Sequence, residues 1–207
     1  MRFLNVLSRI KRSFPLPSLD EKLEGPKVIL RAGDPADWHH WRTLREMSRE
    51  FLTPWEPSWP SNALTYTYFC GLLRRYAREW RKGEGYNFLI FRKNDEGGEG
   101  ALVGGISLNT IERGIAQMGT LGYWMGLPYA GQGYMREAAS LVAAFAFDTL
   151  LLHRLQASCL PRNEPSINLL RRLGFEEEGY AKAYLQINGK WEDHILWARV
   201  CTRPRSG

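Results

Sequence analysis

Apolar positions along this chain change their period several times, and each change marks an expected element. Residues 27–31 carry Val28, Ile29 and Leu30 in one short apolar run, which predicts a first strand. Asp34 and Pro35 then supply an N-cap and a proline at the first helical position. Trp38, Trp41, Leu44, Met47 and Phe51 follow at helical spacing and are expected to face a core. Pro54, Pro57 and Pro60 surround Trp55 and Trp59, so residues 52–60 read as a stiff loop that cannot be regular helix. A second helix is expected over about 63–82.

From Tyr86 the pattern becomes strand-like. Residues 87–92 and 101–109 flank a glycine-rich loop and read as a hairpin, with 117–126 as a further strand. Residues 131–150 open on glycines and continue with Ala138, Leu141, Val142, Phe145 and Ala146, so a strand, a glycine turn and an apolar helix succeed one another. Residues 153–159 predict another strand. Pro165 starts a helix whose Ile167, Leu170 and Leu173 face inward until Gly174 ends it. Asn188-Gly189 predicts a closing hairpin. The pattern is that of an α/β protein of the α+β type with one domain over 25–201, a basic extension over 1–24 and a tail over 202–207.

Composition narrows the function classes. With 207 residues one sizeable core suffices, and no apolar run approaches the length of a membrane span. Cys70, Cys159 and Cys201 form no CxxC pair, and the four histidines lack metal-ligand spacing, so neither a disulfide framework nor a metal site is expected. A reducing, cytoplasmic setting fits. The formal charge of +6 leans towards an anionic partner, although a solvated basic surface explains it equally. The opening residues mix Phe3, Leu4, Val6, Leu7 and Ile10 with Arg2, Arg9, Lys11 and Arg12. They suit a mobile extension or packing arm better than a secretory signal, with an organelle-targeting peptide or interfacial anchor left open.

Two segments carry chemistry. In the first, from Tyr123 to Ala138, a strand containing Trp124 and Met125 runs into Gly131, Gln132, Gly133, Tyr134 and Met135 at a helix start. Free N–H groups at a helix N-terminus bind anions, and glycines let a pyrophosphate approach the backbone; a purely structural turn is the alternative. Arg136 stands where a Rossmann fingerprint needs its third glycine, and no Gly-Lys-Ser/Thr follows, so dinucleotide and P-loop readings are disfavoured. In the second segment, Asn163 precedes a helix that carries Ser166 in its first turn and ends in Leu173-Gly-Phe175. Plain helix capping would account for it in isolation.

Both segments together resemble the GCN-five-related N-acetyltransferases, and the likeness runs from the first strand to the last hairpin. It is most similar to the RimJ/RimL branch, which acetylates ribosomal proteins, through Phe51-Leu-Thr-Pro-Trp-Glu-Pro57, Gly131-Gln-Gly-Tyr-Met-Arg-Glu-Ala138, His153-Arg154, the run from Leu173 to Leu185, and Gly189-Lys-Trp-Glu-Asp-His194. The resemblance implies a mixed, mostly antiparallel, splayed sheet flanked by helices. It also implies direct transfer of acetyl from acetyl-CoA to an amine, with coenzyme A as product. Trp124, Met125, the turn 131–135, Asn163 and Ser166 would bind the cofactor. Ser166 would donate to the departing sulfur, and Asn163 would orient the thioester arm or a relay water. Trp55, Glu56, Glu178, Asp193 and His194 are candidates for handling the acceptor amine, each with a structural role as the alternative.

Ala130, Met135 and Leu170 depart from the wider family's motif, and Leu185 stands where RimL-type enzymes carry a glutamate, so no general base is assigned. An α-amine is about 10–20% neutral at pH 7, whereas a lysine is below about 0.1%, so an N-terminal acceptor needs less help from a base. The expected partner is a ribosomal protein N-terminus, alone or in a ribosomal or pre-ribosomal particle, and no DNA; the enzyme would be a monomer or homodimer. A small-molecule amine acetyltransferase and a non-catalytic ribosome-assembly factor are the competing readings.

Overall fold

The structure, a computed structural model, describes residues 16–202, so the amphipathic opening and most of the tail lie outside the described residues. The strands β1 (Lys22–Glu24), β2 (Val28–Arg31), β3 (Tyr86–Lys93), β4 (Glu99–Glu112) and β5 (Met118–Met125) pair antiparallel in chain order. β6 (Arg154–Cys159) then runs parallel to β5. Beyond it, β8 (Lys190–Val200) lies inside β7 (Glu176–Ile187), which gives one eight-stranded sheet in the order β1-β2-β3-β4-β5-β6-β8-β7.

Alternation along the central strands divides the side chains between two faces. On one face Phe88, Ile106 and Leu121 join a large core with Ala138 and Val142 of α4 (Tyr134–Ala144) and with Ile167 and Leu170 of α5 (Glu164–Arg172). On the other, Phe91 and Leu102 pack with Trp41 and Leu44 of α1 (Trp38–Met47). Phe69 completes this second cluster from α3 (Tyr66–Lys82), which follows the four-residue helix α2 (Arg49–Leu52). Ile167, Leu170 and Leu173 are buried as expected. The Asn188-Gly189 turn has both residues at positive φ (45° and 82°), the backbone that a two-residue hairpin requires.

Three expectations change. Residues 16–24 are not all extension: β1 adds a strand to the sheet, and the Trp80 indole N–H donates to the Pro17 carbonyl at 3.0 Å. Met47 is 60% exposed and Phe51 36% exposed. From Trp41 and Leu44, the next inward position at 100° per residue is Ser48, with Met47 on another side of the helix. Ser48 is fully buried and breaks the helix there, which turns Phe51 outward. The apolar helix after the glycines also stops early, at Ala144, and continues as one wider π-helical turn over Phe145–Thr149.

Phe145 on that turn packs edge-on against Tyr86 and Phe88. Phe145→Ala should therefore cost about 3–5 kcal/mol, read as a lowered urea midpoint at unchanged slope. A loss under about 1 kcal/mol would contradict this packing.

Candidate active site

β5 and β6 are paired over three residues only, Met118–Thr120 against Arg154–Gln156. Beyond Thr120 the strands diverge, although β5 continues to Met125 and β6 to Cys159. The β6-facing edge of β5 thus opens into a wedge whose backbone groups have no strand partner. At the mouth of this wedge the chain makes a single 3-10 turn, Leu127–Tyr129, pinned where the Leu127 N–H donates to the buried Ser48 hydroxyl at 2.9 Å. The glycine turn follows.

Gly131 and Gly133 adopt φ of 75° and 87°, a region that strains any residue with a Cβ. A Cβ on either would meet no atom within 4 Å, so the space in front of the turn is open. Gly133 brings no capping side chain, which leaves the first N–H groups of α4 and the positive end of its dipole available to an anion. Glu137, the acid of this first turn, is drawn away: its Oε1 accepts from the backbone N–H groups of Lys27 and Val28 at 2.7 and 3.2 Å. Gln132 braces the turn by donating to the Pro128 carbonyl at 2.8 Å. These features fit a diphosphate.

Across the wedge, Asn163 caps α5, its side-chain oxygen accepting from the Ser166 N–H at 3.2 Å. The capping reading of Asn163 is thereby the one seen, and its effect is to fix Ser166. The Ser166 hydroxyl lies 2.6 Å from the Tyr123 hydroxyl of β5. Burial pushes the Tyr123 phenol up to about 12, against the smaller opposing effect of its bond to Ser166. Sequence reasoning included Tyr123 in the first segment but gave it no role; its distance from Ser166 in the chain hides the pair, and only the alternation of β5 hints that residue 123 turns to the α5 side.

Trp124, one residue on, turns to the opposite face. Its indole lies over Gly105 of β4, where a Cβ would come within 2.4 Å of the ring nitrogen, so only glycine leaves room for it. There it lines a cavity of about 520 Å³ between the sheet, α1, α3 and the proline loop. The Arg45 guanidinium sits 4.2 Å from the Trp59 ring and 4.8 Å from the Trp124 ring. Both of its terminal nitrogens donate to Glu56, at 2.8 and 2.7 Å, and the Trp59 N–H donates to the same carboxylate at 2.8 Å. The Glu56 carbonyl accepts from the Asn188 N–H at 2.9 Å, which ties the last hairpin to this loop.

The other expected acceptor residues divide. Trp55 stands beside Arg162, 5.8 Å from the guanidinium carbon, and Arg162 pairs with Glu192 at 3.1 Å. His194 is 3% exposed on β8; its Nδ1 is 3.0 Å from the Glu192 carbonyl, a contact in which Nδ1–H donates. Asp193 clasps the irregular part of β7, accepting from the Ala183 N–H at 2.8 Å and the Tyr180 hydroxyl at 2.7 Å, and these bonds lower its pKa. Glu178 is ion-paired with Arg154, which holds its pKa down, and Arg154 lies at the closed end of the wedge. Ser166 is held between Asn163 and Tyr123, Trp124 and Glu56 line the cavity on the other face of the sheet, and Glu178 is taken up by Arg154. Among the described residues no three His, Cys, Asp or Glu side chains are grouped to hold a metal, and no helix is long and apolar enough to cross a membrane.

Comparison with known proteins agrees with this geometry. Residues 27–176 match the family described as acetyltransferase (GNAT) domain. The chain is 33% identical to YjcK of Bacillus subtilis (strain 168), described as a probable N-acetyltransferase, over 85% of this chain and 95% of that one. It is 34% identical to the [ribosomal protein uS5]-alanine N-acetyltransferase of Escherichia coli (strain K12), over 73% of this chain and 76% of the relative. The structure of Mycobacterium smegmatis RimJ in complex with CoA-disulfide superimposes with a TM-score of 0.79 at 28% identity, covering 87% of this chain and 88% of that one. With the splayed sheet, the glycine turn and the family match in agreement, the chain belongs to the GNAT acetyltransferases.

Proposed function

We propose that this acetyltransferase modifies the α-amino group at a protein N-terminus, and that its acceptor is a ribosomal protein, with the N-terminal alanine of uS5 the leading candidate. The observation that carries this reading is that no unpaired negative charge stands among the described residues of the acceptor cavity. Among the described residues lining it Glu56 is the sole carboxylate, and Arg45 and Trp59 occupy both of its oxygens. A site for polyamines or other small polycations needs unpaired negative charge, whereas a largely aromatic cavity suits a peptide end whose amine is about 10–20% neutral at pH 7. The 34% identity to the uS5-alanine enzyme supports the same choice.

Acetyl-CoA supplies an acetyl group already activated as a thioester. The backbone N–H groups of the turn 131–134 would hold its diphosphate, and the open edge of β5 beyond Thr120 would offer its unpaired backbone groups to the arm. Ser166, fixed by Asn163, would donate a hydrogen bond to the sulfur and so stabilise the departing thiolate. The acceptor enters from the opposite face, over Trp124, where the Arg45–Glu56 pair keeps the proline loop closed over the sheet. Glu56 is occupied, so it does not deprotonate the amine. His194 is buried on β8 and is not among the described residues that line the cavity, so no side chain is assigned as the base.

Gly133→Ala should weaken coenzyme A binding about tenfold by calorimetry, because the αL backbone at φ 87° costs an alanine roughly 1–2 kcal/mol. Unchanged affinity in a folded variant would remove the turn from donor binding. For the acceptor, N-terminal peptides of ribosomal proteins should be acetylated at least tenfold more efficiently than polyamines or aminoglycosides. Mass spectrometry of ribosomal proteins from cells with and without the enzyme should show one N-terminus losing an acetyl group. Preferential turnover of free polyamines would overturn the assignment.

A further inference from the structure

Tyr123 opens the first of the two sequence motifs with no role assigned to it, yet it closes a contact that the backbone leaves open. Strand pairing between β5 and β6 ends at Thr120, three residues before Tyr123, and Ser166 stands on the helix that follows β6. Their hydroxyl oxygens at 2.6 Å make a bond across the wedge where no ladder remains. We propose that Tyr123 is a positioning residue for acetyl transfer: its phenol donates to Ser166 Oγ and so directs the serine O–H towards the sulfur of the acyl donor. This rests on the function proposed above for Ser166.

The direction of the bond follows from acidity. A phenol near pKa 10 is a far stronger acid than an aliphatic alcohol, whose acidity is close to that of water. Burial moves Tyr123 up to about 12, which keeps it protonated at neutral pH and still the better donor. With one serine lone pair filled by the phenol, the only proton on Ser166 is left for another acceptor, and the donated bond polarises it further. The pKa of the buried Cys159 thiol is raised chiefly by burial, with Trp197 and Ser166 lowering it, Glu177 raising it and Arg171 lowering it. A neutral thiol is a weak acceptor, so it does not compete with a developing thiolate. During transfer the amine nitrogen bonds to the acetyl carbon, and the C–S bond breaks with its electron pair on sulfur. The amine's proton passes to a base or solvent, while Tyr123 and Ser166 keep theirs and stabilise the sulfur by hydrogen bonding.

The test uses the full chain with coenzyme A itself as probe, and with acetyl-CoA plus an N-terminal peptide for turnover. In the wild type, the thiol of bound coenzyme A should ionise at lower pH than in Ser166→Ala, by about one pH unit, followed by thiolate absorbance. Tyr123→Phe should move ionisation the same way by a smaller amount. Turnover should fall about tenfold in Ser166→Ala and several-fold in Tyr123→Phe, with KM for acetyl-CoA within about twofold, and the double variant should be no slower than Ser166→Ala alone. Ser166→Thr, which keeps the hydroxyl, should retain most activity.

A Ser166 effect without any Tyr123 effect, or losses that multiply in the double variant, would overturn the role of Tyr123 while leaving the proposed function standing. Failure of the wild type to bind coenzyme A would overturn both. Should Tyr123→Phe not fold, fluorotyrosine at this position, a stronger acid of nearly the same shape, should lower the ionisation pH of bound coenzyme A; no movement would sink the proposal.

Discussion

The constraint on which this molecule depends is the early end of pairing between β5 and β6. Three residue pairs hold the two halves of the sheet together, and beyond them the strands separate while both remain extended. A sheet that stayed paired to Met125 would satisfy its backbone internally and leave nowhere for an extended ligand arm to lie. The separation is tolerated because each half has its own support. β4 pairs with β5 as far as Met125, and β8 pairs with β6 as far as Cys159. α4 and α5 cover one face of both halves through the same large core.

Strand alternation then lets one short segment serve two openings. Tyr123 turns towards α5 and meets Ser166, whereas Trp124 turns to the other face and forms a wall of the acceptor cavity. Donor and acceptor, on the function proposed here, therefore approach the same stretch of β5 from different sides. The cavity wall is held by charge that is already neutralised. Arg45 is enclosed by indole rings and paired with Glu56, and because both partners are largely removed from water, loss of either would leave a poorly solvated charge behind. The pair fixes the proline loop and, through the Asn188 N–H, the final hairpin as well.

Much of the architecture was legible in the chain because its signals are local. Asp34-Pro35, the glycines at 131 and 133, Pro165 and Asn188-Gly189 each announce a boundary through backbone chemistry that needs no neighbour, and each stands where it was expected. Errors arose where the outcome was set by something distant. Met47 and Phe51 fit an apolar stripe, but Ser48 takes the inward place because its hydroxyl is needed by Leu127, far along the chain. β1 carries only Lys22, Leu23 and Glu24, too weak a pattern to mark a strand without β2 beside it.

For the site, sequence by itself determined the glycine turn, the Asn163 cap with Ser166 behind it, and the family to which they point, since these depend on φ angles and on hydrogen bonds between residues three apart. Only the tertiary structure decided which groups are free to act. It occupied Glu56 with Arg45, sent Glu178 to Arg154, used Asp193 as a clasp, and set Tyr123 against Ser166. A side chain's availability depends on what lies within about 3 Å of it, and for Tyr123 and Ser166 that neighbour is 43 residues away in the chain.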